Sequence, residues 1–418
     1  MRVSRFITLA AVLGIAAAAP AAPLAAAPAA ASPTTAQARP AAPLVSAVPA
    51  QPHELWGVSC ESPASCVATG DIDDGSTDES ALALTWNGKS WKTATVNLPA
   101  GASDDALDRV SCVPRARRCV AVGSYTAAGA FPALVETWNG SAWTPSAAPA
   151  PAGALEEVLF GVSCPAAKSC VAVGGYLPKY GSYPLENFSP VAESWNGVRW
   201  APATPPTVQG MLYSLLDSVS CVSATRCFAV GWYETATGGS VLLESWNGKA
   251  WTRLHPPLPA GSKGQILTGV SCASATSCVA VGVAAGSQPG NTAFSELWNG
   301  RTWRVAGIAW PRGTGNSFLV GVSCAAAAWC VADGYTGFNV TATGHTGRAA
   351  AVSWNGKAWR VTGVPAPAKG SASLFNAVSC LSAAYCVAVG QEGPLSTTQG
   401  NGLTGFWNGK GWKLVAAP

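Results

Sequence analysis

Ser245-Trp246-Asn247-Gly248-Lys249-Ala250-Trp251 contains one of seven copies of Trp-Asn-Gly-x-x-Trp; the others begin at Trp86, Trp138, Trp195, Trp298, Trp354 and Trp407. Their second tryptophans are Trp91, Trp143, Trp200, Trp303, Trp359 and Trp412. Asn-Gly tolerates the positive φ angles of a type I′ turn, so each copy predicts a two-residue β-hairpin. In that register Trp246 faces Lys249 and Glu244 faces Trp251, with the two tryptophans diagonal on one face.

Upstream of each copy stands Val-Ser-Cys, followed by a second cysteine and then Val-Ala-Val-Gly or a close variant. The pairs are Cys60/Cys66, Cys112/Cys119, Cys164/Cys170, Cys221/Cys227, Cys272/Cys278, Cys324/Cys330 and Cys380/Cys386. From the second cysteine to the glycine is always four positions, and from the second Trp to the next first cysteine always 21. The stretch from that glycine to the first Trp varies from 15 to 21. A period of about fifty residues marks a repeat architecture.

Four strands fit each repeat. Strand A ends at the first cysteine, as in Leu159–Cys164; strand B is Cys278–Gly282 in the fifth copy; strand C ends at the first Trp; strand D starts at the second. The A–B hairpin sets Cys272 opposite Cys278 and Val270 opposite Ala280, with Leu267, Gly269 and Ser271 on the other side against Val279 and Val281. Both faces are apolar, so each sheet should stack between two like it. Seven four-stranded antiparallel units make an all-β, seven-bladed β-propeller over residues 54–418, with one A–B disulfide per blade. A competing phase would make Leu55–Cys60 the outer strand of the last blade.

With 49% apolar and 11% charged residues the chain is too apolar for disorder, and its net charge of +4 does not argue for nucleic acid or an anionic membrane. The one basic run, Arg115, Arg117 and Arg118, reads as a solvated turn. Met1–Arg5 is a basic n-region and Phe6–Ala19 an apolar h-region, with small-residue cleavage sites at Ala31 and Ala38. Residues 1–38 are therefore expected to be a Sec-type signal peptide, 39–53 a Pro/Ala spacer, and the mature chain extracellular without a membrane span. All 14 cysteines pair, as expected outside the cytosol. Their spacing is wrong for zinc, and His53, His255 and His345 fall at unrelated repeat positions.

At this point the pattern resembles the Asp-box propellers, the superfamily of sialidase-like and photosystem-assembly-factor-like rings, and more narrowly secreted bacterial Trp-Asn-Gly repeat propellers. The Ser-Trp-Asn-Gly-x-x-Trp turn is one residue shorter than the Asp box, with Asn for Asp. The resemblance implies the fold, strand A as the inner strand, and a structural role for the turn. It implies no activity.

The seven Val-Ser-Cys serines have no neighbouring base and read as structural hydroxyls. Glu136, Glu193, Glu244 and Glu296 share one strand C position and are expected to accept hydrogen bonds from a neighbouring blade. A sialidase site would need three converging arginines, and Arg109, Arg226, Arg253, Arg301, Arg348 and Arg360 are scattered. Asp71, Asp73, Asp74, Asp78 and Glu79 cluster, but a glycine stands where the third calcium ligand belongs, so a solvated loop is expected. No metal or cofactor is expected.

The disulfides and Asn-Gly turns are expected to form one uniform rim of the ring. Length variation is confined to the B–C segments, which share the opposite rim with the D–A connections. Tyr125, Tyr176, Tyr180, Tyr183, Trp232, Tyr233, Tyr335 and Phe338 fall there and are the candidate ligand-binding residues, since aromatic rings suit sugar faces or peptide side chains. The expected function is a monomeric, non-catalytic module binding an extracellular glycan or protein. The alternatives are a propeller-type polysaccharide hydrolase or lyase, which two carboxylates and an Arg at the channel mouth would favour, and a structural envelope or surface protein.

Overall fold

The computed structural model describes residues 53–73, 79–178, 188–207, 209–286, 290–341, 344–366, 371–394 and 400–417. The expected signal peptide, most of the expected spacer, Asp74, Asp78, Tyr180 and Tyr183 lie outside the described residues.

Seven four-stranded antiparallel sheets form, each in the order A-B-C-D. The inner strands A are His53–Ser62, Ser103–Val113, Glu156–Ala166, Met211–Ser223, Gly264–Ser274, Ser317–Ala326 and Ser371–Ser382, in blades 1 to 7. Stacking each sheet between two others buries both faces. Seven apolar clusters lie between neighbouring blades, the seventh joining blade 7 to blade 1 through Ala377, Val387, Val389, Leu55 and Leu84. Among the described residues no helix is long and apolar enough to cross a membrane.

The serines of Val-Ser-Cys explain their own repetition. Ser59 Oγ accepts the Cys112 N–H of the next blade at 3.0 Å, and Ser111, Ser163, Ser220, Ser271 and Ser323 do the same in turn. Ser379 completes the ring by accepting from Cys60 at 3.0 Å. The seam has further ties: Gly402 N–H donates to His53 Nε2 at 3.2 Å, and Asn376 Nδ2 to the Leu55 carbonyl at 3.0 Å. Residues from Leu55 to Cys60 are thus the inner strand of blade 1, and the competing phase is excluded. Closure needs no shared sheet.

All seven expected disulfides form: Cys60–Cys66, Cys112–Cys119, Cys164–Cys170, Cys221–Cys227, Cys272–Cys278, Cys324–Cys330 and Cys380–Cys386. Each joins cysteines directly opposite across strands A and B. Their place on the rim needs correcting, however. The strand B cysteines, Cys66, Cys119, Cys170, Cys227, Cys278, Cys330 and Cys386, are all buried, at 2% exposure or less. Each belongs to one of the seven apolar clusters between blades, so half of every cross-link is core rather than rim surface. The reason is that strand B is an interior strand of its sheet, and its cysteine faces the adjoining blade. A half-cystine there acts as a small apolar side chain as well as a link.

Blade 2 absorbs its extra loop residue by placing Arg115 and Arg117 at positive φ (62° and 50°). Replacing both Cys272 and Cys278 with serine is expected to cost about 2 kcal/mol by loop entropy. Urea denaturation checks this; an unmoved midpoint would mean the strand register alone holds the hairpin.

Two register expectations are corrected. Trp246 pairs with Trp251 directly, and Glu244 with Arg253, so the C–D turn has four residues rather than two. The reason is the asparagine side chain: Asn247 Oδ1 accepts the N–H groups of Lys249 and Ala250, both at 2.9 Å. That Asx turn keeps Asn247 at negative φ and leaves only Gly248, at +93°, in the left-handed region, so the turn is not type I′. The paired indoles sit 5.3–5.7 Å apart in all seven blades. The first one of blade 4, Trp246, also donates to the Ala224 carbonyl of the A–B loop at 3.2 Å.

The second correction concerns strand A. Every inner strand carries a β-bulge, at Thr268 in blade 5, which moves Leu267 to the Val270 and Ala280 face rather than the opposite one. The bulge also presses a carbonyl of strand A onto the strand B glycine. A Cβ on Gly70, Gly123, Gly174, Gly231, Gly282, Gly334 or Gly390 would overlap that carbonyl oxygen. This is why the glycine of Val-Ala-Val-Gly recurs.

Candidate functional site

A ring of near-identical blades has a distinctive site only where the repeat breaks. Two positions look into the channel mouth on the rim of the B–C and D–A connections. One precedes the buried leucine or phenylalanine of strand A, and the other follows the strand B glycine. In blades 4 to 6 they carry Leu215, Ile266, Phe318, Trp232, Val283 and Tyr335, all buried. With Leu177, Phe188, Tyr213, Phe338 and Leu374 these form one apolar cluster contributed by five blades. Tyr213 stacks on Trp232 at 4.6 Å and Phe318 on Tyr335 at 5.0 Å. The cluster packs the centre of this rim; burial raises the Tyr335 hydroxyl far above its ordinary range.

The candidate aromatics therefore divide. Trp232, Tyr335 and Phe338 are core residues of this cluster rather than exposed rings. Tyr125, Tyr176 and Tyr233 are half-buried, each flanking a core between blades. Positions just after strand B point into the ring, which a count of residues along the strand does not reveal.

Blades 7, 1 and 2 are different. Glu54 takes the place of Leu215 and its equivalents, while Gln391, Asp71 and Ser124 take the place of Trp232. Glu54 and Asp71 are paired across strands A and B. The Gln391 amide nitrogen donates to both Glu54 carboxylate oxygens. Burial, then the charges of Asp71, Glu79 and Asp73, hold the Glu54 carboxyl well above the usual range. Asp105 accepts the Ala81 N–H of blade 1 at 2.6 Å, tying the acidic sector to the blade seam. Among the described residues no three His, Cys, Asp or Glu side chains are arranged to hold a metal ion.

Deeper, Arg109 is the one Lys or Arg on the seven inner strands. It donates to the Trp56 carbonyl, and Trp56 Nε1 donates to Asp71. In blade 6, Asp333 stands where five blades have valine in Cys-Val-Ala-Val-Gly or Cys-Phe-Ala-Val-Gly. It is fully buried beside Gly321. Burial raises its carboxyl to about 7, and the Arg109 charge works against that rise. Glu54 and Asp71 of blade 1 thus stand opposite one another, and Trp56 links Asp71 to Arg109 of blade 2, which has Asp333 within electrostatic reach. The remaining candidate arginines do not converge: Arg253 pairs with Glu244 at 3.3 Å, and Arg226 and Arg301 lie on the other rim.

The strand C glutamates correct another expectation. Glu136, Glu193, Glu244 and Glu296 are all fully buried, facing the preceding blade. Among the described residues Glu136, Glu193 and Glu296 have no hydrogen-bond partner, and Glu244 meets Arg253 of its own blade rather than a neighbour. Desolvation raises Glu136, Glu193 and Glu296 to about 8, and Glu244 to about 7 against the opposing pull of Arg253. Glu136, Glu193 and Glu296 are thus pushed toward the neutral form in the walls between blades, away from the channel.

No protein-family model matches this sequence, and no curated protein matches it. Solved structures do match in fold. A PL25 ulvan lyase, a polysaccharide lyase bound to -[GlcA(1-4)Rha3S]-, aligns over 88% of this chain and 98% of its own at 9% identity, TM-score 0.50. Pyrococcus horikoshii acylaminoacyl peptidase aligns over 87% of this chain and 52% of its own at 7% identity, TM-score 0.50. YCF48 bound to D1 peptide aligns over 88% and 93% at 12% identity, TM-score 0.48. At such identities the likeness shows the propeller fold alone.

Proposed function

We propose that this chain is an exported, non-catalytic binding module that takes a glycan or protein ligand at the channel mouth over blades 7, 1 and 2. The observation that carries this reading is the break in the repeat: Glu54, Asp71 and Gln391 replace the apolar residues that fill the same positions in blades 4 to 6. Seven disulfides suit the extracellular setting that the N-terminal signal implies. Kinship with the Asp-box propellers belongs to the same proposal and rests on the C–D turn motif. Acidic and amide side chains beside an aromatic wall suit hydroxyl-rich or basic ligands. Glycan and peptide arrays probed with the mature chain are expected to give hits that Glu54→Gln weakens by about tenfold, the scale of one lost hydrogen bond. No hit above background, or hits untouched by Glu54→Gln, would end this reading.

A second reading has its own support. Burial and neighbouring carboxylates raise the Glu54 carboxyl, the direction a general acid needs, and Asp71 stands opposite it, with Arg109 and Asp333 beyond. A polysaccharide-cleaving enzyme would release reducing or unsaturated ends from a panel of acidic and neutral polysaccharides. The binding module releases none.

A further inference from the structure

Net charge conceals where the charges lie. The rim formed by the A–B loops and C–D turns carries Lys89, Arg199, Lys249, Arg301, Lys357 and Lys410 in its turns. Its loops add Arg115, Arg117, Arg118, Lys168 and Arg226. All but Arg118 are exposed, and every blade supplies at least one. Among the described residues none of them is in an ion pair. The one acid on this rim is Glu61, which is half-buried and already accepts from Arg117 N–H at 3.1 Å and from Ser65 at 3.4 Å. Every other described Asp and Glu lies on the opposite rim, in the channel or between blades. The disc is therefore polarised along its axis.

The fold does not require this. The C–D turn needs its asparagine to accept two N–H groups and its glycine to take positive φ; it asks nothing of the side chain that follows. Ser141 and Val198 occupy that place in blades 2 and 3. The other five blades put Lys or Arg there, each with its backbone N–H held by the asparagine at 2.9–3.0 Å. Blade 2, whose turn has no basic residue, carries three in its A–B loop.

We infer that this rim is a docking surface for a linear anionic polysaccharide bearing carboxylate or phosphate groups. Stacked sheets lie about 10 Å apart, so the charges recur around a ring at steps of at least that length, which fits an extended polyanion rather than one small anion. Single-stranded nucleic acid would need stacking platforms, but the first indoles here are engaged by the paired tryptophans and the A–B carbonyls. A membrane would need inserted apolar side chains, and among the large exposed hydrophobics only Val198 lies on this rim. The surface faces away from the channel mouth, so the inference is independent of the function proposed above.

The test is binding of the mature chain to immobilised polygalacturonate and heparin, with neutral dextran as blank. The triple variant Lys249→Gln, Arg301→Gln, Lys357→Gln removes three charges from this rim. Its control, Lys263→Gln, Arg312→Gln, Arg348→Gln, removes three from the opposite side. The first is expected to weaken binding by about tenfold or more and the control by less than about twofold, with wild-type affinity falling at least about tenfold between roughly 50 and 300 mM salt. Equal losses in both triples would mean net charge, not this rim, is read. Absence of binding at low salt, or tighter binding to phosphatidylglycerol vesicles or duplex DNA than to either polysaccharide, would overturn the inference.

Discussion

Gly282→Ala is expected to destabilise the protein by at least about 3 kcal/mol, the range reserved for backbone conflict in a core. The added methyl would overlap the Ile266 carbonyl oxygen, and that carbonyl is held by the bulge at Thr268. Thr268 in turn donates to the Leu319 carbonyl of the next blade at 2.7 Å. Relief requires the inner strand to move, and the inner strand is where neighbouring blades approach most closely: a Cβ on Gly269 would already touch the Val320 carbonyl at 2.9 Å. Gly264→Ala is the control, because a methyl there meets nothing. It is expected to stay within about 0.5 kcal/mol of wild type. Equilibrium denaturation of both variants decides the matter; a wild-type midpoint for Gly282→Ala would remove the bulge as the reason for the glycine.

The second large effect is on the pH dependence of stability. Glu136, Glu193 and Glu296 rise from an ordinary 4.5 to about 8 in the folded chain. Between these values the unfolded chain has lost the protons and the folded chain keeps them. Stability linked to these groups is therefore complete below about 4.5, and is lost as pH rises toward about 8. Replacing all three with glutamine removes the titration and retains a neutral polar group. Wild type and variant are expected to be similar near pH 4.5, with the variant more stable by several kcal/mol, on the order of 3 per site, near pH 8. Thermal or urea unfolding across that range reads the difference. A constant gap would mean the carboxyls are ionised in the folded protein.

What could be read in advance was whatever the chain states seven times. The cysteine pairs, the structural role of the repeated serines and the blade count rest on repetition; the partner of each serine, the cysteine N–H of the next blade, came only with the fold. What escaped was set by single atoms. Asn247 Oδ1 captures two amides and lengthens the turn, which no spacing between tryptophans records. The bulge leaves a trace in the sequence, the glycine opposite it, but that trace reads as a strand end until the carbonyl is seen against it. The site was sought in loops because loops vary in length. The proposed site lies instead in strands, at Glu54, Arg109 and Asp333, each the one charged residue in its column of the repeat. Trp232 and Tyr335 misled for the complementary reason: a chemically suggestive residue in a variable segment still faces inward when its strand has not yet ended.

The seam between blades 7 and 1 carries the same Ser379-to-Cys60 bond as the six interfaces within the chain. To the ring, the position of the chain break is therefore arbitrary. A gene that fuses the strand ending at Ala416 to the strand starting at His53, and opens any other D–A connection instead, encodes the same seven interfaces in rotated order. This architecture is in that sense a cyclic word, written down from one of seven equivalent letters.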